Sequence, residues 1–423
     1  MRVLYTIGIL LYSLGVRIAA LFGNTKAVQW VEGRKRQRFE PAAQNADAWI
    51  WFHAASLGEF EQGRPVIEAL KKECPQYKIL LSFFSPSGYE IRKDYPLADE
   101  VLYLPSDTPA HAEQWVQRHH FVAAFFIKYE FWFNYMQALK NAGIPLFYIS
   151  LILKPDSYFF RWYGTWFFRQ LNNVTHFFVQ DDTTARLLQS NGLTNVTICG
   201  DTRFDRVAAI ALQAKPFPEV ERFIGGRKCI IAGSTWPPDE KLLVDVFPLL
   251  PDDYCLIVAP HDVSASHVAQ IQAMFPDSQL YTELEADQSS RSQRSIEGLK
   301  DQPTRILVVN IIGILSQLYQ YARFVYIGGG FGVNIHNIQE PVTFGCPVVF
   351  GPQYKSFKEA VDLVGLEGAF SVRDAAEMTS VFSRLMTDEE SYVKASETCR
   401  NYLNSQVGAT ESIIKGFKKA LFE

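Results

Sequence analysis

The 423-residue sequence lacks several signatures that would place it in a common functional class. Its six cysteines are scattered, with no Cys-x-x-Cys pair, and its eight histidines stand at no metal-ligand spacing to them, so we expect no zinc site. Dispersed cysteines in apolar segments are typical of reduced thiols in a cytosolic setting. The formal net charge of −4 leaves no basic excess, which argues against general nucleic-acid binding.

The overall composition is that of a folded globular protein. Hydrophobic residues make up 48% of the chain and charged residues 20%, which excludes a disordered chain and a membrane protein with many spans. A chain of 423 residues exceeds one ordinary hydrophobic core. Two domains are therefore expected.

The N-terminus departs from this average. Residues 3–23 are almost wholly apolar, interrupted by Arg17, and their length permits a membrane-spanning helix. Because of Arg17, a helix in the membrane interface is an equal alternative; a secretory signal and a buried first helix are further readings. The basic segment 34–38 follows and suits anionic headgroups on the cytoplasmic face. We predict a membrane-tethered protein that faces the cytoplasm.

Apolar segments alternate with amphipathic ones, a pattern typical of parallel sheets with helical crossovers. The domains are assigned to a membrane helix (1–24), an N-terminal domain (25–211), a C-terminal domain (212–400) and a closing helix (401–423) that could pack back on the N-terminal domain. A linker is predicted at 209–226 and a surface insertion loop at 283–302. Strands are predicted at 48–53, 78–84, 101–104, 121–127, 145–151, 176–180, 229–233, 254–259, 305–310, 324–327 and 347–350.

This alternation predicts two Rossmann-like domains facing each other across a cleft. In such sheets ligands bind outside the carboxyl ends of the strands, so the turns that follow the strands are the candidate sites.

The segment 326–352 is the most informative of these turns. A strand runs into three glycines at 328–330, and a polar turn then opens a short helix that carries Glu340. Glycines let the backbone approach a ligand closely, and a helix start offers N–H groups to an anion. Glu340 suits the hydroxyls of a ribose. Ser234 and Thr235, whose hydroxyls and amides suit a phosphate, follow an earlier strand, so a nucleotide site is predicted in the second domain.

Three turns of the first half carry charged side chains. Glu59 follows the first predicted strand and is either a general base or an ordinary first-turn carboxylate of a helix. Glu130, flanked by aromatic residues, either contacts a sugar and stabilises charge or is a buried, salt-bridged carboxylate. Arg203 either neutralises an acidic substrate or a developing negative charge, or pairs with Asp201 or Asp205.

Four motifs together resemble a known family. They are HAASLGE (53–59), KYEFWFN (128–134), GDTRFD (200–205) and IHNIQEPVTFGCPVVFGP (335–352). They are similar to motifs of the 3-deoxy-D-manno-octulosonic acid (Kdo) transferases of Gram-negative lipopolysaccharide synthesis, and the resemblance covers essentially the whole chain. It implies a GT-B glycosyltransferase fold and an inverting, metal-independent transfer from CMP-Kdo to a lipid A precursor (lipid IVA), without a cofactor, at the cytoplasmic side of the inner membrane.

The resemblance also implies roles for individual residues. Glu59 would be the general base, and Glu130 and Arg203 would stabilise the transition state, with Arg203 replacing a family lysine. Two departures from the family motifs remove charges: an arginine is missing after Pro260, and Ile314 replaces a glutamate. The residues that would surround CMP, together with Ser234 and Thr235, are Pro260, His261, Ile312, Gly313, Ile314, Asn337, Ile338, Gln339 and Glu340.

Two alternatives stay open on the sequence alone. One is a GT-B enzyme that uses a UDP-linked sugar, either as a transferase or as an epimerase. The other is a membrane-tethered protein that binds a nucleotide sugar without catalysis. Acidic residues in the first-domain turns disfavour the second alternative.

Overall fold

A computed structural model shows two compact α/β units, each built on a parallel sheet, and describes residues 1–37, 47–284 and 304–422. The first unit comprises Met1–Asp205 with Gln406–Glu423, and the second comprises Arg206–Ser405. We call them the first and second domain. Arg38 of the basic segment and residues 285–302 of the predicted insertion loop lie outside the described residues.

The first domain contains a seven-stranded parallel sheet with the order β3-β2-β1-β4-β5-β6-β7. The direction of winding reverses between β1 and β4, which is the topological switch point where ligands of such sheets bind. The strands are β1 Ala48–Ala54, β2 Lys78–Phe83, β3 Glu100–Tyr103, β4 His120–Ile127, β5 Leu146–Leu151, β6 His176–Val179 and β7 Val196–Ile198.

Helices cover both faces of this sheet, because its strands are apolar on both sides and need burial twice. The C-terminal helix packs on one face, where the Phe417 ring lies 5.4 Å from that of Phe125 and 5.9 Å from that of Phe147. The helices are Arg2–Leu21, Thr25–Arg36, Leu57–Glu73, Pro86–Arg92, Pro109–Val116, Phe133–Asn141, Thr165–Gln170, Asp182–Ser190 and Ala409–Phe422.

The second domain repeats this plan with seven strands, but four of them lie on the β8 side of the switch point and three on the β12 side. Its sheet is also parallel and has the order β10-β11-β9-β8-β12-β13-β14, so the switch point lies between β8 and β12. The strands are β8 Lys228–Thr235, β9 Tyr254–Pro260, β10 Gln279–Leu280, β11 Ile306–Val308, β12 Ala322–Ile327, β13 Val348–Phe350 and β14 Ala369–Ser371. The helices of this half are Thr202–Leu212, Pro218–Ile224, Pro237–Val246, Ala265–Met274, Leu315–Leu318, Gln339–Thr343, Lys358–Gly365, Ala375–Thr387 and Glu389–Gln406.

The predicted fold class of two Rossmann-like α/β domains is confirmed, and every predicted strand is present. Sequence reasoning missed β7, β10 and β14, each of three residues or fewer. The segment 209–226, predicted as a linker, contains the end of one helix and the whole of Pro218–Ile224. Pro218 stands at the start of that helix, where its missing N–H has no intrahelical partner to lose.

The first helix, Arg2–Leu21, has a mean hydropathy of 1.7 and is long and apolar enough to cross a membrane. One side of it is nevertheless hydrogen-bonded to the first domain. The Tyr5 hydroxyl donates to Asp107 Oδ2 at 2.6 Å, and the Ser13 hydroxyl lies 2.9 Å from that of Ser106. Its other side exposes apolar residues, namely Val3, Leu4, Ile7, Leu10, Leu11, Leu14, Ile18 and Leu21.

Candidate functional site

Glu59 lies in the first turn of the helix Leu57–Glu73, directly after β1. Its Oε2 accepts hydrogen bonds from the main-chain N–H and the hydroxyl of Ser56, at 2.6 and 2.7 Å. The two residues form a capping box, which satisfies an otherwise unpaired N–H at the helix start. Both bonds end at the same oxygen of the half-buried carboxylate, so the capping role leaves Oε1 for another partner.

Glu130 lies after β4, across the switch point from Glu59. Its Oε2 accepts the indole N–H of Trp132 at 2.8 Å and lies 3.4 Å from Nε2 of His53. Its main-chain carbonyl accepts the hydroxyl of Tyr148 at 2.7 Å. The Glu130 side chain is 12% exposed, so the carboxylate is mostly buried yet still reaches the surface.

Arg203 is paired with Asp201, as one of the two sequence readings predicted. Its Nε and Nη2 donate to Asp201 Oδ2 at 2.9 and 2.6 Å, and its main-chain N–H donates to Oδ1 at 2.9 Å. Asp201 also accepts the amide of Gln62 at 3.1 Å. About a third of the Arg203 side chain stays exposed. The arginine is thus held in one orientation without being buried.

Tyr129 connects these turns and was missed as a site residue. Burial raises the pKa of its hydroxyl, Glu59 raises that pKa further, and Arg203 lowers it. The hydroxyl therefore lies within electrostatic range of both groups, although they come from different turns. The preceding Lys128 has φ 59°, a left-handed conformation that is costly for a side-chain-bearing residue. Such strain at a strand end is frequent in functional sites.

In the second domain, the turn after β8 differs from its predicted chemistry. The Thr235 hydroxyl is fully buried and donates to Glu240 Oε1 at 3.0 Å, so it is not available to a phosphate. The N–H of Trp236 donates to Asp239 Oδ2, and the two following residues are prolines, which have no N–H. Of the predicted phosphate ligands in this turn, only Ser234, with φ 53°, keeps a side chain at the surface.

The glycines at 328–330 serve the packing of the turns themselves. A Cβ on Gly328 would lie 2.3 Å from the carbonyl oxygen of Ser234, and one on Gly330 would lie 2.6 Å from the nitrogen of Gly351. Gly329 has φ 91° and donates its N–H to Asp239 Oδ2 at 2.9 Å. The sequence predicted that these glycines let the backbone approach a ligand closely. In the structure they instead let the backbones at the ends of β8, β12 and β13 approach one another.

Three rings lie beside this glycine turn. Trp236 donates its indole N–H to Nε2 of His336 at 2.9 Å, and their planes are 18° apart, so the two rings form one flat plate. The His261 ring stacks on the plate, with its centroid 4.7 Å from that of Trp236 and 4.5 Å from that of His336. His261 was predicted as a site residue, whereas Trp236 and His336 were not. Their signal in the sequence was only their position in turns after strands.

Asn337 and Glu340 form a hydrogen-bonded pair, with Asn337 Nδ2 donating to Glu340 Oε1 at 3.1 Å. Burial raises the pKa of Glu340, while Asn337 and Arg206 lower it. Between them, Ile338 and Gln339 are buried in the domain, and the Gln339 side chain donates to Glu359 at 3.2 Å. Ile338 and Gln339 can thus offer a ligand only main-chain groups.

The remaining predicted residues lie at the ends of β9 and β11. Pro260 is buried as the last residue of β9, directly before exposed His261. After β11, Ile312 is 81% exposed, Gly313 has φ 102°, and Ile314 precedes the helix Leu315–Leu318. Among the described residues, no group of three or more His, Cys, Asp or Glu side chains is placed to hold a metal ion.

Comparison with known proteins identifies relatives of this chain. Residues 33–206 match the family model described as 3-deoxy-D-manno-octulosonic-acid transferase (kdotransferase). The 3-deoxy-D-manno-octulosonic acid transferase of Aquifex aeolicus is 24% identical over 90% of this chain and 98% of its own length. The corresponding protein of Chlamydophila psittaci is 22% identical over 90% of this chain and 87% of its own length. The resemblance seen in the four sequence motifs is confirmed.

Solved structures share the fold. The UDP-GlcNAc 2-epimerase from Neisseria meningitidis, bound to UDP-GlcNAc, superposes with a TM-score of 0.60 at 13% identity, over 88% of this chain and 99% of its own. A UDP-N-acetylglucosamine 2-epimerase from Listeria monocytogenes gives a TM-score of 0.58 at 11% identity, over 89% of this chain and 97% of its own. At these identities the likeness concerns the fold alone, which agrees with the GT-B class.

Proposed function

We propose that this chain, whose residues 33–206 match the Kdo transferase family model, is a glycosyltransferase that transfers Kdo from CMP-Kdo to a hydroxyl group of a lipid A precursor, lipid IVA. The structural observation that carries the proposal is the set of charged groups at strand ends of the first domain, where Glu59 and Glu130 flank the switch point and Arg203 follows the edge strand β7. Glu59, Glu130 and Arg203 each come from a different strand end and are each held by hydrogen bonds that leave part of the group accessible.

In the proposed reaction, Glu59 removes the proton of the acceptor hydroxyl as its oxygen bonds to the anomeric carbon of Kdo. The bond from that carbon to the CMP phosphate breaks, and the phosphate keeps its electrons. Glu130 stabilises the positive charge that develops on the sugar, and Arg203 neutralises negative charge on the substrate. Because CMP is a good leaving group, positioning and electrostatics are sufficient, and we assign no step to a metal.

We place the nucleotide at the switch point of the second domain. The plate of Trp236 and His336 offers a flat surface for the base, and the pair of Asn337 and Glu340 offers hydrogen bonds to ribose hydroxyls. His261, exposed beside the plate, takes the place of the family arginine that is missing after Pro260. Main-chain amides of the turn after β12 complete this proposed site.

We also propose that the helix Arg2–Leu21 lies in the interface of the inner membrane on its cytoplasmic side. The hydrogen bond from Tyr5 to buried Asp107 would be lost if the helix crossed the bilayer. An in-plane helix keeps this bond and buries its exposed apolar side among the acyl chains. The exposed Lys35 and Arg36 then face anionic headgroups, whereas Arg34 donates to the carbonyls of Phe84 and Leu104.

The test is mass analysis of the product formed from CMP-Kdo and lipid IVA by the purified full-length chain. Addition of one or more Kdo units is the expected result, and the mass reports their number. In parallel, CMP and UDP are compared for protection against thermal unfolding, because a ligand that binds the folded state raises its apparent stability. Protection by UDP alone, with no Kdo addition, would favour a UDP-sugar enzyme, and CMP binding without turnover would favour a non-catalytic binder.

A further inference from the structure

One buried histidine of the first domain has no part in the mechanism proposed above. His53, the sixth residue of β1, has a fully buried side chain. Both of its ring nitrogens have partners: Nδ1 lies 2.9 Å from the hydroxyl of Ser82 in β2, and Nε2 lies 2.8 Å from the indole nitrogen of Trp132. A histidine in the core of a sheet needs such partners, because an unpaired ring nitrogen there would be costly.

The partners determine which nitrogen of His53 carries the proton. An indole N–H is a donor only, so Nε2 of His53 must accept from Trp132, and the proton must be on Nδ1. Nδ1 then donates to the Ser82 hydroxyl oxygen, which also accepts the indole N–H of Trp51 at 2.7 Å. The Ser82 hydroxyl uses its own proton toward the carbonyl of Phe52 at 3.3 Å. Every hydrogen-bonding group in this chain of contacts is satisfied.

The same indole N–H of Trp132 also reaches Glu130. It lies 2.8 Å from Oε2 of the carboxylate and 2.8 Å from Nε2 of His53, so one donor is shared by two acceptors. The ring of Trp132 is further held by packing against Phe84, with centroids 4.7 Å apart and the ring planes tilted by 34°. His53 thus fixes the indole from the core side, and the indole fixes one oxygen of Glu130.

We infer that His53 is a positioning residue for Glu130: through the shared N–H of Trp132, the imidazole holds the carboxylate in the orientation that it needs in the transfer reaction. This inference rests on the proposed function. A carboxylate that stabilises a developing charge acts over a short distance, and a displacement of about 1 Å can cost about a hundredfold in rate. His53 itself is fully buried and contacts neither substrate.

Two variants of His53 separate positioning from packing. In His53→Asn the shorter side chain keeps the contact to Ser82 but cannot reach the indole, so we expect kcat to fall about ten- to a hundredfold with little change in KM. In His53→Gln the amide oxygen can accept the indole N–H, and we expect most of kcat to return. His176→Asn is the matched control, because His176 lies in β6 of the same sheet and bonds to Thr197 at 2.8 Å.

Trp132→Phe provides a second route if either histidine variant fails to fold, since it keeps a ring against Phe84 and removes the shared N–H. It should lower kcat as His53→Asn does, and the double variant should be no worse than the more damaged single variant, because the two residues act as a unit. Thermal unfolding and protection by CMP report folding separately.

Three results would overturn the inference: wild-type kcat in folded His53→Asn, additive losses in the double variant, or His53→Gln no better than His53→Asn at equal stability. Failure of the proposed function looks different, because the wild-type chain would then transfer no Kdo at all.

Discussion

The two domains have nearly the same sheet order but different chemistry at their switch points. Between β1 and β4 of the first domain lie two carboxylates, each oriented by neutral donors, Ser56 for Glu59 and Trp132 for Glu130. Between β8 and β12 of the second domain lie close-packed glycines and a plate of aromatic rings. The Asp239 carboxylate there accepts hydrogen bonds from two main-chain N–H groups and a tyrosine hydroxyl. One scaffold therefore presents partly accessible carboxylates in one copy and a surface of aromatic rings in the other.

The difference follows from what each set of hydrogen bonds leaves accessible. In the first domain the donors occupy one oxygen of each carboxylate, so a charged atom remains for a substrate. In the second domain Asp239 and Glu240 are buried, Asp239 accepts from Trp236 and Tyr326, and Glu240 Oε1 accepts from Thr235, so neither carboxylate reaches the surface. A fully buried and paired carboxylate stabilises the fold, whereas a partly buried carboxylate stays accessible to a ligand.

The largest expected effect comes from Glu59→Gln in the first domain. Glutamine can keep the capping box, because a single oxygen accepts both bonds from Ser56, but it cannot take a proton. We expect kcat for Kdo transfer to fall about 10²- to 10⁴-fold, the usual contribution of a general base, with an unchanged melting temperature.

Glu68→Gln is the control for Glu59→Gln, since Glu68 lies on the same helix and pairs with Arg64 at the surface. Near-normal turnover in folded Glu59→Gln would remove Glu59 from the mechanism and weaken the contrast between the domains.

Trp236→Ala addresses the binding half of the comparison. Loss of the plate should weaken CMP binding about ten- to a hundredfold, in line with about 1–3 kcal/mol for a base stacked on an aromatic ring. We expect KM for CMP-Kdo to rise while kcat changes little, the opposite of the Glu59 variant. Trp162→Ala serves as control, because Trp162 is 91% exposed in the first domain. Unaltered CMP affinity would place the base elsewhere.

Gly328→Ala tests whether the glycines of the second domain serve packing. The added Cβ would meet the Ser234 carbonyl oxygen at 2.3 Å, so we expect the free energy of unfolding to fall by about 1–3 kcal/mol, the usual cost of overpacking. Gly332→Ala is the matched control, because its Cβ would have no neighbour closer than 3.5 Å. Denaturant titration measures both variants, and equal stabilities would contradict the packing interpretation.

The smallest expected effect is a dependence of the free energy of unfolding on pH, which we attribute to Asp107 in the first domain. Burial raises its pKa to about 6, while Tyr5 and two main-chain N–H groups oppose the rise. Between pH about 4 and about 6 the folded chain keeps a proton that the unfolded chain has released, so stability should fall as pH rises through this interval.

One proton limits the Asp107 slope to about 1.4 kcal/mol per pH unit. The difference in unfolding free energy between wild type and Asp107→Asn should show it. A pH-independent difference would mean that Asp107 does not titrate there.

Much of the fold was predictable from sequence, because strands buried on both faces are continuous apolar segments that local pattern reveals. The short strands β7, β10 and β14 were not, since they are only partly buried and form no continuous apolar segment, whereas the equally short β11 and β13 are fully buried. Pro218 illustrates a different limit. The same residue breaks a helix or begins one, and only the chain around it decides which.

The sequence predicted where the candidate site residues lie better than it predicted the hydrogen bonds that they make. Glu59 and Glu130 follow β1 and β4, whose ends meet at the switch point in any sheet of this order. Arg203 follows the edge strand β7, and only its partner Asp201, which accepts from Gln62, ties it to the helix after β1. Thr235 was misjudged because its hydroxyl meets Glu240, a contact across a helix turn that spacing does not show. Trp236 and His336 are 100 residues apart, and nothing local predicts that they share a plane.

The amino-acid sequence by itself determined the alternation of strands and helices, the apolar first helix, the charged strand-end turns and the family motifs, since each of these is a local pattern along the chain. The tertiary structure alone decided how each polar group is used: that Glu59 caps its helix through one oxygen, that His53 and Trp132 hold Glu130, and that glycines 328–330 pack against neighbouring turns. The reason is physical, because hydrogen bonds and steric contacts depend on distances between residues far apart in the chain, and only the folded sheet sets those distances.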